Sequence, residues 1–227
     1  MRIAVFGTGT VGRTLAGRLS ELGHSVVIGT RDPASTLART DPDAMGNPPF
    51  AAWQADHRDV RLATFADAAA GAELAFVATS GAGALDAVGL AGVGNLAGKV
   101  VVDVSNALDF SGGFPPALFV QDTDSLAERI QRTFPEARVV KTLNTLTAPL
   151  MVDPGSLGES TTIFVSGNDG EAKATVLTLL QSFGHDDVID LGPIETARGP
   201  EMMMAMWLRI MGALGTAAFN YKIVRAR

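Results

Sequence analysis

The chain has no cysteine among its 227 residues, which excludes disulfides, thiolate metal sites and a cysteine nucleophile. Histidine is nearly as scarce, at three residues, so chemistry that draws on clustered imidazoles has little to work with. Charge is sparse too: 19% of residues are charged and the formal net charge is -6. Neutralising phosphates along a nucleic acid needs clustered Lys and Arg, so no nucleic-acid partner is expected. A clean membrane span is also missing. The most apolar segment, "MMMAMWLRIMGALGTAAF" (residues 202–219), carries Arg209 in its middle and two glycines. An Arg at mid-bilayer is costly, so a buried or dimer-facing helix is expected there instead, with no membrane partner. The opening apolar run leads straight into a glycine-rich turn, so no signal peptide is expected and a cytoplasmic location is.

What is present is core material, at 47% hydrophobic. Residues 2–6 read as a short buried strand. Residues 10–22 then switch to helical spacing, with Val11, Leu15, Leu19 and Leu22 on one face and Gly23 as the stop. Residues 25–29 form a second strand. Further strands are expected at 73–79, 99–105, 138–145, 162–167 and 187–192. One intervening helix carries Leu126, Ile130 and Phe134 and halts at Pro135; another carries Ala172, Val176, Leu179, Leu180 and Phe183 and closes at Gly184. Continuous apolar strands alternating with amphipathic helices predict an α/β fold, a Rossmann-type doubly wound, mostly parallel sheet. Residues 1–195 make the dinucleotide-binding domain, and 196–227 a small C-terminal helical extension. Residues 32–61 and 106–122 read as irregular, and stretches of that length either join a site or wrap the surface.

The segment "GTGTVG" places Gly7, Gly9 and Gly12 in G-x-G-x-x-G spacing directly after a strand and at the start of a helix. In that context Gly7 permits the tight turn, Gly9 lets a pyrophosphate approach, and Gly12 lets the helix pack on the strand. About 20 residues on, where an acidic residue usually reads an adenosine ribose, stand Thr30 and Arg31. A carboxylate there would repel a 2′-phosphate; a guanidinium pairs with it and Thr30 adds a hydroxyl donor, so NADP(H) is expected over NAD(H). Ligands of open parallel sheets bind beyond the carboxyl ends of the strands. That rule selects Thr79, Ser80 and Gly81 for the nicotinamide half, Asn106 for a carboxamide or ribose, and Asn144 with Thr145. His24 reads as structural, and no metal-ligand spacing appears. Lys141 reads as a strand residue reaching the surface, and no catalytic acid or base is evident.

Four segments together resemble the NADP oxidoreductases that depend on the deazaflavin coenzyme F-420: "GTGTVG", "IGTRDP", "VVKTLNTLTAPLM" and the closing "ARGPEMMMAMWLRIMGALG…FNYKI". The resemblance implies that Thr8, Thr10 and Val11 meet the pyrophosphate and that Thr30 and Arg31 hold the 2′-phosphate. Asn144, Thr145 and the C-terminal helix would border a second flat ring over the nicotinamide. It implies hydride transfer between NADP(H) and coenzyme F-420, or a flavin in its place, without a protein acid, and a homodimer formed through the C-terminal helix. Where that family commonly has a basic residue shortly after the Arg, this chain has Ser35 and Thr36, which implies a weaker phosphate clamp. Two other readings are an NADP-dependent dehydrogenase or reductase of a small molecule, and a non-enzymatic NADP(H) sensor.

Overall fold

The computed structural model describes residues 1–43 and 46–226. Among these the strands are β1 (Arg2–Phe6), β2 (Ser25–Thr30), β3 (Arg61–Thr64), β4 (Leu74–Val77), β5 (Val100–Asp103), β6 (Leu108–Asp109), β7 (Ala117–Leu118), β8 (Arg138–Lys141), β9 (Thr162–Gly167) and β10 (Asp187–Gly192). The helices are α1 (Thr10–Glu21), α2 (Pro33–Leu37), α3 (Phe50–Asp56), α4 (Phe65–Gly71), α5 (Ala84–Ala91), α6 (Val93–Leu96), α7 (Leu126–Thr133), α8 (Ala148–Val152), α9 (Gly170–Phe183) and α10 (Arg198–Leu214).

Eight strands form one sheet in the order β10-β9-β8-β5-β4-β1-β2-β3. The six from β8 to β3 are parallel; β9 runs antiparallel to β8, and β10 parallel to β9. The period-two alternation of β1 divides the core: Ile3 and Val5 join a cluster with Leu15, Leu19 and Val176 on one face, while Ala4 and Phe6 join Phe65, Ala68 and Ile130 on the other. With both faces covered, the central strands read as near-continuous apolar runs, which is why they are legible. Register aligns Gly29, Phe6, Val77, Asp103 and Lys141 across the sheet, so the chain leaves five neighbouring strands at one edge. The strand order reverses between β1 and β4, which opens a crevice above that edge.

The two stretches expected to be irregular hold short elements. Asp32 accepts a hydrogen bond from Ser35 N at 3.0 Å and starts α2, with Pro33 at its first position. Further on, α3 lays Trp53 on the sheet-side cluster. His57 stacks on Trp53 with ring centroids 4.1 Å apart, over Gly17, where a Cβ would lie 3.3 Å from the imidazole. Between residues 106 and 122, β6 and β7 pair antiparallel as a small hairpin. Leu108 and Leu118 of that hairpin pack against Met204, Trp207 and Leu208 on the inner face of α10. No helix among the described residues is long and apolar enough to cross a membrane.

Candidate active site

The glycine turn is built as its spacing requires. A Cβ on Gly12 would sit 2.0 Å from the Gly7 carbonyl oxygen, so only glycine lets α1 start this close to β1. Gly7 has φ +127°, and a Cβ there would meet the Ala78 carbonyl at 2.6 Å, where the loops after β1 and β4 touch. Gly9 differs: its Cβ position has nothing within 4 Å and points into open space. The first intrahelical bond of α1 runs from Arg13 N to Gly9 O at 3.0 Å, which leaves the amides of Thr10, Val11 and Gly12 without helical partners. Free amides, a helix dipole and an uncrowded Gly9 fit a pyrophosphate. Arg13 braces the turn from behind: its Nε donates to Thr8 O at 2.7 Å and its Nη1 to Pro48 O at 2.6 Å. Asn47 donates to Thr10 Oγ1 at 2.7 Å, so the connection after α2 is fastened to the turn as well.

Two of the clefts beside the turn share Thr79 and Ser80. One, of about 470 Å³, is lined by Gly7, Thr8, Gly9, Thr30, Arg31, Ser35 and Arg39, among others. Arg31 is exposed and makes no ion pair with any described residue, which suits a guanidinium awaiting an anionic ligand. The one-turn helix α2 brings Arg39 to the same cleft, so a second guanidinium stands where Ser35 and Thr36 had suggested none. Sequence reasoning missed Arg39 because it lies beyond the turn that returns it. Thr36 is buried, and its hydroxyl donates to Asp32 O at 2.8 Å. The Thr30–Thr36 hydroxyl contact at 3.0 Å therefore takes the Thr30 proton, leaving Thr30 Oγ1 as an acceptor within the cleft wall rather than the expected donor.

The other cleft, of about 630 Å³, is lined by Val11, Thr79, Ser80, Val104, Ser105, Asn106, Leu108, Phe110, Leu146 and Met151, among others. Thr79 and Ser80 line both clefts, and Thr79 Oγ1 is buried with no partner, a polar atom suited to a ligand spanning the two. A Cβ on Gly81 would fall 2.1 Å from Asn106 O, so the loops after β4 and β5 also meet closely. Asn106 lines this cleft, whereas Asn144 and Thr145 are buried at 2% exposure behind it. Asn144 Nδ2 donates to Asn106 Oδ1 at 3.0 Å and to Pro200 O at 2.9 Å, and Asn106 Nδ2 donates to Asn144 O at 2.8 Å. The pair thus ties the β5 and β8 strand ends to the start of α10.

Lys141 corrects the expectation of a surface residue. Its side chain is 1% exposed, 2.8 Å from Asp103 Oδ2 and 3.0 Å from Glu201 Oε1. It lies on a central strand whose faces are both covered, and alternation alone does not reveal that buried carboxylates await it. Burial alone would lower its pKa; Asp103 and Glu201 outweigh that, hold it above its ordinary value and keep it charged. The three histidines lie outside both clefts. No group of three or more His, Asp or Glu suited to a metal occurs among the described residues.

Known proteins resemble this chain over most of its length. Residues 2–107 match the family described as NADP oxidoreductase, coenzyme F-420-dependent. The crystal structure of a proposed F-420-dependent NADP reductase from Arthrobacter sp. FB24 is 62% identical, covering 99% of this chain and 100% of that one, with a TM-score of 0.96. Among curated proteins, the metalloreductase STEAP3 of Rattus norvegicus is 29% identical over 88% of this chain, and the metalloreductase STEAP2 of Homo sapiens 26% identical over 98%. This chain spans only 36% and 41% of those two proteins. A near-complete match at 62% identity, together with a glycine turn whose steric constraints are met atom by atom, leads to one assignment: the chain belongs to the coenzyme F-420-dependent NADP oxidoreductase family.

Proposed function

We propose that the protein transfers a hydride between NADP(H) and a flat ring acceptor, coenzyme F-420 first and a flavin next, by stacking the two rings in the apolar cleft. The observation that carries this reading is the lining of that cleft. Its described walls include Val11, Val104, Leu108, Phe110, Leu146 and Met151, and no His, Lys or Arg. Asp109, the carboxylate in that wall, is held below the ordinary range by hydrogen bonds from Ser111, first from its backbone N–H, so it stays ionised and is no proton donor. Ring-to-ring transfer needs reacting carbons held about 3 to 3.5 Å apart in a dry site and no protein acid.

In this reading Thr8, Thr10 and Val11 with the free amides of α1 bind the pyrophosphate. Arg31 and Arg39 bind the 2′-phosphate, beside the Thr30 hydroxyl. Thr79, Ser80 and Asn106 orient the nicotinamide half, and Asn144 and Thr145 frame the wall from behind. When bound, NADPH supplies two electrons and a proton as one hydride, which the acceptor ring takes up; a further proton comes from water at the open mouth. The exposed face of α10, with Met202, Met206 and Leu214, is proposed as the contact of a homodimer.

Single-turnover mixing of the protein with NADPH and, separately, coenzyme F-420, FMN or FAD tests this, read as loss of reduced-nicotinamide absorbance. Fast oxidation with the deazaflavin alone is the expected result. Oxidation with flavins instead would make it a flavin reductase. That arm bears on the metalloreductase relatives, because a hydride must pass through a one-electron carrier to reduce a metal. NADPH binding with no turnover of any acceptor would overturn the ring-stacking reading and favour a small-molecule substrate or a sensor.

A further inference from the structure

A buried charge cluster lies directly behind the apolar cleft. The Lys141 ammonium has three protons and three acceptors: Asp103 Oδ2 at 2.8 Å, Glu201 Oε1 at 3.0 Å and Ser105 O at 2.5 Å. Asp103 Oδ1 accepts from both Ser105 N at 2.9 Å and Ser105 Oγ at 2.5 Å. Every polar group of Ser105 is therefore held by this cluster, and Ser105 lines the cleft between Val104 and Asn106. Glu201 Oε2 accepts from Leu126 N at 2.7 Å and its Oε1 from Ala127 N at 3.1 Å, so its charge is shared with the first turn of α7. The cluster joins β5, β8, α7 and α10 at one point.

Stability alone does not call for such a group, because apolar side chains of similar volume serve a core as well or better. Nor can Lys141 exchange protons with a ligand, since all three N–H bonds are taken and it is 1% exposed. What it can do is fix the backbone of Ser105 and, through the neighbouring Asn106–Asn144 pair, the polar end of the cleft. The adenosine-side cleft, around Thr30, Arg31 and Arg39, shares no residue with this cluster.

We propose that Lys141 is a positioning residue: with Asp103 and Glu201 it sets the Val104–Asn106 wall against which the nicotinamide half lies, and it does so independently of the adenosine half. This rests on the apolar cleft holding the nicotinamide. The experiment compares calorimetric binding of NADP⁺ with that of 2′,5′-ADP, which carries only the adenosine half with its 2′-phosphate and one 5′-phosphate. For Lys141→Met the expected result is about a tenfold rise in the NADP⁺ Kd, with the 2′,5′-ADP Kd within about twofold of wild type. Lys141→Arg restores part of the loss because it keeps the charge. Should Lys141→Met not fold, Glu201→Gln, which keeps one acceptor oxygen, is expected to show the same split at about threefold. Equal weakening of both probes, or of neither, overturns the inference. Failure of the wild-type protein to bind 2′,5′-ADP overturns the cofactor reading itself, and the two failures are told apart by the unmutated control.

Discussion

On the proposed function, Arg31 and Arg39 are expected to share the choice between NADP(H) and NAD(H). Both guanidiniums line the adenosine-side cleft, on either side of Ser35. Arg31→Ala is expected to cost about 1.5 to 3 kcal/mol of NADPH binding, on the order of tenfold to a hundredfold in Kd, with NADH binding unchanged. Arg39→Ala should shift affinity the same way by a smaller factor, since it follows α2 while Arg31 stands directly at the end of β2. Titrating each variant with both reduced cofactors checks this; a constant NADPH-to-NADH ratio would remove the 2′-phosphate assignment. These residues also mark how far the site could be read from sequence. Arg31 was legible because the distance from glycine turn to ribose position is fixed by one βαβ unit. Arg39 was hidden by a helix too short to show a period. Lys141 was hidden because its carboxylates arrive from β5 and α10, and no local pattern records a partner that tertiary packing supplies. Asn144 and Thr145 were expected at the ligand edge because they follow a strand, but tertiary packing buries them behind the wall rather than in it.

At the scale of elements, the glycine turn separates folding from binding. Gly9 has an ordinary extended conformation, with φ −78° and ψ −176°, and its Cβ direction is empty. Gly9→Ala is thus expected to keep the thermal midpoint of the wild type and lose cofactor affinity, because the added methyl occupies the space of the pyrophosphate. Gly12→Ala forces a methyl against the Gly7 carbonyl and is expected to cost about 1 to 3 kcal/mol of stability or more, as α1 lifts from β1. Paired thermal melts and NADPH titrations distinguish them; equal melting temperatures for both variants would refute the packing role of Gly12. Element legibility follows from the same physics. Strands β1, β2, β9 and β10, and helices α1, α7 and α9, carry long apolar patterns and were legible within a few residues. Helices α4 and α5, "FADAAAG" and "ALDAVGLA", are rich in small residues that pack tightly yet give little contrast between faces. Strand β3 is four residues long and intermediate or exposed throughout, as an edge strand can be.

The whole molecule is closed by seams that respond to acid at different pH values. The first turn of α10 is bolted to α7 through a bidentate pair, Arg198 Nη2 to Glu128 Oε1 at 2.6 Å and Arg198 Nε to Glu128 Oε2 at 2.9 Å. Burial alone would raise the Glu128 pKa; Arg198 and Ser125 reverse this and leave it below its ordinary 4.5. A depressed acid contributes its stability in full above the unfolded value and loses it as pH falls towards the folded one. The second seam is His185, whose Nε2 meets Met151 O at 3.0 Å and so ties the end of α9 to α8. Burial pushes its pKa below the ordinary 6.5. The unfolded chain takes up that proton first, so the His185 contribution is complete above 6.5 and drains as pH falls through the interval below it. Thermal midpoints measured against pH should therefore fall in two stages, one beginning below 6.5 and one below 4.5. His185→Gln, whose amide can still donate to Met151 O, is expected to shrink only the upper stage; His24, also lowered by its partial burial, keeps the remainder. Glu128→Gln is expected to shrink the lower stage without touching the upper one, at a reduced midpoint because Arg198 loses its partner; Asp124, held low by Arg132 and Arg129, and Asp190, held low by Lys173, keep the rest of it. Met151 lines the apolar cleft and Glu201 lies beside the α7 seam, so acid that loosens either seam reaches the nicotinamide side before it reaches Arg31. NADP⁺ affinity should then fall with pH more steeply than 2′,5′-ADP affinity, once the 2′-phosphate titration common to both ligands and the 5′-phosphate titration of 2′,5′-ADP alone are subtracted; parallel curves would separate the seams from the site.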